Sequence, residues 1–347
     1  MSLTGKIKEK AREIGFDKVG ITDTAPFSGR FKERYYNWLK RGYNAGLEYL
    51  RGSAQIRLNP ESLFEGCFSI ISVAINYFPG RIETPTGDEI ARISRYALGS
   101  DYHVVIHEKL RRLLDFIKRE VGGVVGGAVF CDDAPIFEKK IAERAGIGWI
   151  GKNCLLITKE YGSWVFLGEV VLDRELAMDK KAENLCGDCN LCVESCPTGA
   201  IVEPGTIDVS RCISYHTIES KEATPEEDRL PHGDRIFGCD ACQEVCPFNS
   251  GVSRTGEDLF FPREEYISLT LENAWRVTLK EFKRFFRNSQ IGRVGKEKLL
   301  NNIIIAMGNS GNRRYLPLIE SVSREFGPII EEQAEWAIEK IEKRHKT

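Results

Sequence analysis

The run Cys186-Gly-Asp-Cys189-Asn-Leu-Cys192-Val-Glu-Ser-Cys196-Pro197 has the spacing C-x2-C-x2-C-x3-C-P. Cys212 follows alone, and Cys239-Asp-Ala-Cys242-Gln-Glu-Val-Cys246-Pro247 repeats the C-x2-C-x3-C-P ending. Eight of the eleven cysteines thus fall within residues 186–246. Three thiolates at that spacing converge on one cube of iron and sulfide, while the fourth, displaced by three residues and a proline, points at a neighbouring cube. The expected wiring crosses over: Cys186, Cys189, Cys192 and Cys246 hold one 4Fe-4S cluster, and Cys196, Cys212, Cys239 and Cys242 hold the other. Zinc also takes C-x2-C pairs, but it closes with four ligands and has no use for the x2, x2, x3-Pro run. A disulfide framework is disfavoured, because the cysteines crowd one segment of a long chain with no secretory signal. Two adjacent clusters make an electron relay, and a relay needs an acceptor.

The remaining sequence has room for one. With 347 residues, 42% hydrophobic and 29% charged, the chain has the composition of an ordinary globular protein of two or three domains. A formal charge of −2 gives no global attraction to nucleic acid or membrane, so such a partner must be held by a local patch. No run approaches the roughly 18 apolar residues of a membrane span, and the amphipathic start lacks an apolar targeting core. The expectation is a cytoplasmic, reducing location, which suits oxygen-sensitive clusters.

Before the cysteines, strands and helices alternate. Ile7, Ala11 and Ile14 recur at helical spacing up to Gly15, ahead of a strand at 18–22. An aromatic helix is expected at 27–41, with Phe27, Phe31, Tyr35 and Trp38 as core packing, then a polar loop at 49–60. Residues 68–77 read as a buried strand, and 101–121 as a helix capped by Asp101. A strand at 128–131, a helix at 135–145 opened by Pro135, and a hairpin joining 153–158 to 163–172 complete an α/β or α+β unit ending near residue 175. After the cysteines, helices are expected at 279–287, 296–307, 314–324 and 329–344, about two helical hairpins. Ten basic residues between Arg276 and Arg314 face two acids, Glu281 and Glu297, with Phe282, Phe285 and Phe286 interleaved. Such a face either holds a polyanion or is simply solvated.

Some motifs carry little. Gly146, Gly148 and Gly151 spell G-x-G-x-x-G, but a helix precedes and a strand follows, the reverse of a phosphate-binding loop; they are expected to let backbone approach a ligand. No C-x3-C-x2-C run supports radical chemistry with S-adenosylmethionine. His103, His107, His216, His232 and His345 are too scattered for a histidine-built metal site, with structural roles expected for His107 and His345. Cys67, Cys131 and Cys154 read as buried small hydrophobes. Asp132 and Asp133, by contrast, stand at a strand's carboxyl end before a helix, where ligands gather in α/β folds. One acid is expected to cap the helix and the other to face the site, with burial and like charge raising a pKa until it can donate a proton.

Taken in chain order, RISRYALGSDYH (92–103), CDDAPIFE (131–138), AERAGIGWIGKNC (142–154), GSWVFLGE (162–169), the first cysteine run, RCISYHTIE (211–219), GCDACQEVCPFN (238–249) and NNIIIAMGNSGN (301–312) resemble the epoxyqueuosine reductase family. The likeness spans nearly the whole chain. It implies an α+β multidomain architecture: an N-terminal α/β, nitroreductase-like cobalamin domain (1–175), a ferredoxin-like domain with two 4Fe-4S clusters (176–255), and a HEAT-like helical tail that binds tRNA (256–347).

The resemblance further implies reduction of the epoxide of epoxyqueuosine, at the wobble position of certain tRNAs, to queuosine. Electrons from an external low-potential donor would pass singly through the clusters to cobalamin, whose cobalt engages the epoxide. Asp132 matches the family's proton-donating aspartate, although Asp133 replaces the usual small or hydroxyl residue. Arg57, Arg95, Tyr102, His103, Asn153, Ser163 and Ser214 fall in stretches that line the cobalamin or substrate pocket in such proteins. A single working chain with no membrane partner is expected. Two rival readings are a reductive dehalogenase, which usually carries an export signal and lacks a helical tail, and a plain electron carrier, which would hold iron and sulfide without a corrin.

Overall fold

The structure is a computed structural model and describes residues 2–83, 89–322 and 326–344. Its first half is built on a four-stranded sheet of β1 (Lys18–Asp23), β2 (Ser69–Asn76), β3 (Gly127–Phe130) and β4 (Val165–Leu172), in the order β1-β2-β4-β3. Every pairing in it is antiparallel, so of the two expected classes the unit is α+β, and the α/β label given to the N-terminal domain is corrected. All eight residues of β2 are buried, which requires cover on both faces.

Alternation along β2 sorts its side chains between those faces. Ile71, Val73 and Ile75 join a core with Ile7, Ala11 and Ile14 of α1 (Leu3–Ile14). Ile70 packs on the other face with Phe27, and Phe31 and Tyr35 of α2 (Gly29–Lys40) lie against the same cluster. The first face is completed by α3 (Tyr102–Val121), whose buried Leu110, Leu113, Leu114 and Ile117 follow the helical repeat. Asp101 caps it, accepting the His103 N–H, as expected. The second face holds α4 (Glu138–Arg144) with buried Ile141 and Ala142.

Four expectations differ from these elements. The stretch 49–60 is not a loop but two short helical turns, Glu48–Gly52 and Ala54–Leu58, followed by a 3-10 turn. Pro135 lies outside α4, because residues 131–137 form a tight turn in which Asp132 has φ 57°. The expected hairpin shrinks to one bridge, Thr158 to Gly162. Leu156–Ile157 pairs instead with Trp149–Ile150, and β4 is occupied on both edges by β2 and β3. The glycines at 146 and 148 are required by packing: a Cβ on Gly148 would stand 2.2 Å from the Ile157 carbonyl, and one on Gly146 2.5 Å from that of Lys180, while Gly151 lines an open pocket.

A second core sits under the tail. It joins α5 (Leu271–Phe285), α6 (Lys296–Ser310) and α7 (Gly327–Arg344) to Ala91, Ile93, Ala97 and Leu98 from the first half and to Ile236 and Phe237 from the cysteine segment. Two short strands, Arg92–Ile93 and Arg235–Phe237, pair in parallel at its edge. α5 starts eight residues before the expected helix, since Thr270 accepts the Asn273 N–H as a cap and Leu271, Ala274, Trp275 and Thr278 form its buried stripe. Arg313–Tyr315 is a 3-10 turn before the helix Leu316–Val322; the end of the expected helix at Arg324, like His345, lies outside the described residues. No helix among the described residues is long and apolar enough to cross a membrane.

Candidate active site and cluster sites

The cysteines sort into two groups that cross between the motifs. Cys192 feels Cys186, Cys246 and Cys189 electrostatically, and Cys246 feels Cys186 and Cys189. These four line one small cavity with Asn153, Leu191 and Phe248. Cys212, Cys239 and Cys242 each lie within reach of Cys196, and Cys242 also feels Cys192, so the groups are adjacent. Among the described residues no three His, Cys, Asp or Glu side chains converge on a point that suits a lone metal ion. The first quartet lines a cavity, an arrangement that suits a cube of iron and sulfide.

Donors are arranged around the sulfurs. Trp149 Nε1 lies 3.4 Å from Cys186 Sγ and the Ala200 N–H donates to Cys196 Sγ at 3.2 Å. Backbone N–H groups of Ser214 and Tyr215 face Cys212, and those of Phe248 and Asn249 face Cys246. Burial pushes the Cys212 thiol up to about 11, against the pull of its two backbone donors. Donors to sulfur fit cluster ligands, whose charge they spread and whose potential they tune.

The acid turn faces the cysteine segment from the first domain. Tyr102 Oη donates to Asp132 Oδ2 at 2.6 Å, and His103 Nε2 lies 3.7 Å from the same oxygen. The other ring nitrogen, Nδ1, lies 2.7 Å from Asp101 Oδ1, and Arg293 from the tail reaches Asp101 Oδ2 at 3.4 Å. Burial works against the Asp132 charge, but bonds from His103 and Tyr102 outweigh it and hold the carboxyl below its ordinary range. Burial likewise opposes a charge on His103, yet Asp101 and Asp132 raise it to about 9. At neutral pH the proton therefore resides on His103, not on Asp132. The expectation that like charge raises the aspartate is corrected, because a buried imidazole was placed beside it.

The division of labour between the two acids also differs from expectation. Neither caps α4, whose N-terminus has no side-chain cap. Asp133 is tied to the turn and to α3, with Oδ1 accepting the Cys131 N–H at 3.0 Å and Oδ2 2.8 Å from His107 Nε2, its side chain 47% exposed. Asp132 faces out, its side chain 64% exposed. Tyr49, Tyr96 and Glu219, from three separate segments, all lie within electrostatic reach of it.

The remaining candidates are spread along the seam between the acid turn and the clusters. Arg57 donates to the Ile136 carbonyl at 3.0 Å and lies over Tyr49, bracing the acid turn. Arg95 pairs with Asp240 and Glu244 at 3.2 and 2.6 Å and covers the Trp164 ring, and Ser94 donates to Asp240 as well. Ser163 is buried with Asn249 and Gln243. Asn153 lines the first cysteine cavity and touches the Cys242 carbonyl, while Ser214 offers its backbone to Cys212. Tyr102 and His103 are thus the two that meet Asp132 directly. Cys67 and Cys131 are buried as expected, whereas Cys154 is half-buried with φ 63°.

Sequence reasoning passed over Asp101 beyond its capping role, Arg293, and the pair Glu138 and Glu169. A lone acid inside the apolar strand VFLGEVVL was the available sign, since charged residues are rarely fully buried without a partner.

Residues 57–133 match the model described as epoxyqueuosine reductase QueG, DUF1730, and residues 185–249 match a 4Fe-4S double cluster binding domain. An epoxyqueuosine reductase of Vibrio cholerae serotype O1 is 40% identical over 97% of this chain and 91% of its own. The chain belongs to the epoxyqueuosine reductase family. Among solved structures, an epoxyqueuosine reductase with an epoxyqueuosine-modified tRNA-Tyr stem loop superposes with a TM-score of 0.91 at 33% identity, over 98% of this chain and 90% of that one. A Bacillus subtilis epoxyqueuosine reductase, described with its catalytic aspartate loop swung out of the active site, gives 0.90 at 33% identity over the same shares. Family membership displaces the dehalogenase and electron-carrier readings.

Proposed function

We propose that this oxidoreductase reduces the epoxide of epoxyqueuosine in tRNA to the alkene of queuosine, using two 4Fe-4S clusters and a cobalamin. The overall change consumes two electrons and two protons and releases water. The observation that carries the reading is the exposed Asp132 carboxylate, held by Tyr102 and His103 within electrostatic reach of Glu219 from the cysteine segment. Cys186, Cys189, Cys192 and Cys246 ligate one cluster, and Cys196, Cys212, Cys239 and Cys242 the other. Bound cobalamin supplies a metal that takes electrons singly and engages carbon, chemistry for which no side chain is equipped.

The fit of that group rests on the residues around Asp132. Tyr49, Tyr96 and Tyr102 offer aromatic surface to a flat macrocycle, and Glu219 supplies a polar rim opposite Asp132. Arg57, Arg95, Asn153, Ser163 and Ser214 act from the edges of the site, through its shape and through the seam. His103 and Asp132 together store one proton. As the substrate oxygen gathers negative charge, that one proton passes from His103 Nε2 through Asp132 to the oxygen and leaves His103 neutral, while Asp101 and Arg293 keep the ring oriented and solvent supplies the second proton. A general acid of this kind contributes typically 10²–10⁴-fold.

The organisation follows the same reading: a cobalamin domain at 1–175, a ferredoxin-like domain at 176–255 and a HEAT-like tail at 256–347 that grips tRNA. Arg276, Lys280, Lys283, Arg287 and Arg313 are exposed on that tail. The protein works as a single chain in the cytoplasm with an external low-potential donor. The test is anaerobic reconstitution with iron, sulfide and cobalamin, followed by mass analysis of nucleosides from epoxyqueuosine-containing tRNA. Conversion to queuosine is expected with reductant present; retention of the clusters without cobalt, or intact epoxide after reduction, would defeat the reading.

A further inference from the structure

Directly behind the Asp132 turn two carboxyl groups meet. Glu169 on β4 is fully buried, and its carboxyl is in hydrogen-bonding contact with Glu138 at the start of α4. Ser72 Oγ lies 3.4 Å from Glu169 Oε1, but Oε2 is buried with no donor. Two ionised carboxylates in contact repel, and one proton between them removes both the repulsion and the orphaned acceptor. The groups facing the pair are Asp132, Asp133 and the Cys131 thiol on the turn, Ser72 on β2, and Lys139 on α4. Burial first, then the Asp132 charge, pushes Glu138 up to about 7; burial, then Glu138, raises Glu169 well above the carboxylate range.

The pair is tied to the acid that faces the site. Glu138 Oε1 accepts the Asp132 backbone N–H at 2.5 Å, at a residue whose φ of 57° is unusual for a side chain other than glycine. Such a conformation persists when its surroundings enforce it.

We propose that Glu138 and Glu169 are positioning residues: sharing one proton, they latch the Asp132 amide so that its carboxylate stays on Tyr102 and His103, and loss of that proton frees the turn. Glu169 donates to Glu138, and Glu138 holds the amide. The effect on catalysis rests on the function proposed above; the latch itself does not.

The experiment is hydrogen–deuterium exchange of peptides covering 127–140 in the cluster-loaded full-length protein, corrected for intrinsic exchange at each pH. E138A is expected to raise exchange at the Asp132 amide by about tenfold or more. E138Q, whose carbonyl still accepts the amide and whose NH2 still meets Glu169, keeps the protection. Wild type loses protection at alkaline pH, and E169Q, a permanent donor, does not. In turnover, E138A lowers kcat at unchanged KM for tRNA, and E138Q recovers it. Wild-type exchange in E138A, or an E169Q profile that opens at the same pH as wild type, overturns the proposal. Should E138A fail to fold, the comparison of E138Q and E169Q with wild type decides alone. If every protein lacks turnover while the exchange pattern holds, the latch stands and the tRNA assignment falls.

Discussion

Asp132 and His103 divide one proton, and substitutions at the two positions separate its storage from its delivery. D132N removes the group that touches the substrate oxygen while keeping its shape and the Tyr102 contact. Turnover is expected to fall by 10²-fold or more, with iron content and corrin binding unchanged; full activity would end the assignment. His103 governs the pH response. Its folded pKa of about 9 exceeds its ordinary 6.5, so its ion pair stabilises the fold fully below about 6.5 and is lost as pH rises through about 9. The ring is 15% exposed, and the stabilisation is at most about 3–4 kcal/mol. Thermal melts from pH 6 to pH 10 should show that alkaline decline, and H103Q should abolish the part of it centred near pH 9.

At the scale of elements, the strands, helices and cysteine motifs were unequally legible. The eight-residue apolar strand, the Asp101-capped helix and the crossed cysteine groups could be read because each is local: periodicity, a cap, or fixed spacing writes them into adjacent residues. The antiparallel sheet was not readable, because which strands pair depends on segments far apart in the chain. The acid turn was misread for a related reason. Pro135 marks a helix start in most contexts, but Glu138, Asp133 and His107 here hold residues 131–137 in a turn, and the helix begins three residues late. The basic face was half legible. Phe286 is fully buried and Phe282 and Phe285 pack on the same core, so they offer no stacking platform. Lys298 is drawn inward to the His216 carbonyl, and burial lowers it to about 8.

The crossed cysteine groups make a prediction of their own. Cys246 lies in the second motif but lines the first cavity. C246S should therefore lose the cluster held by Cys186, Cys189 and Cys192 and cut bound iron from about eight to about four atoms per chain. Iron analysis and electron paramagnetic resonance of the reduced protein would report it; loss of the second cluster instead would show uncrossed wiring. Packing at the seam is equally specific. A Cβ on Gly162 would stand 1.9 Å from Asn249 Oδ1, and Asn249 is the partner of Ser163. G162A should lower stability by roughly 2–4 kcal/mol, read as a fall in Tm with the clusters loaded.

For the molecule as a whole, binding of tRNA is expected to be electrostatic and confined to one surface, since the formal charge is only −2. A K280A/K283A double variant should weaken binding and flatten the plot of log affinity against log salt by about 1–2 units of slope. An unchanged slope would place the phosphates elsewhere. Arg293 is excluded from that test because it also holds Asp101.

The parallel pairing of Arg92–Ile93 with Arg235–Phe237 has a bearing on biosynthesis. On the ribosome, the apolar stretch around Ile93, Ala97 and Leu98 emerges long before Phe237, and the helices that finally cover it come later still. At ordinary elongation rates of 5–20 residues per second, that segment waits on the order of ten seconds. The nascent chain thus carries a sticky edge through most of its translation. A chaperone's footprint, mapped by crosslinking stalled nascent chains, should centre on 91–98 and vanish once the last helix has left the exit tunnel.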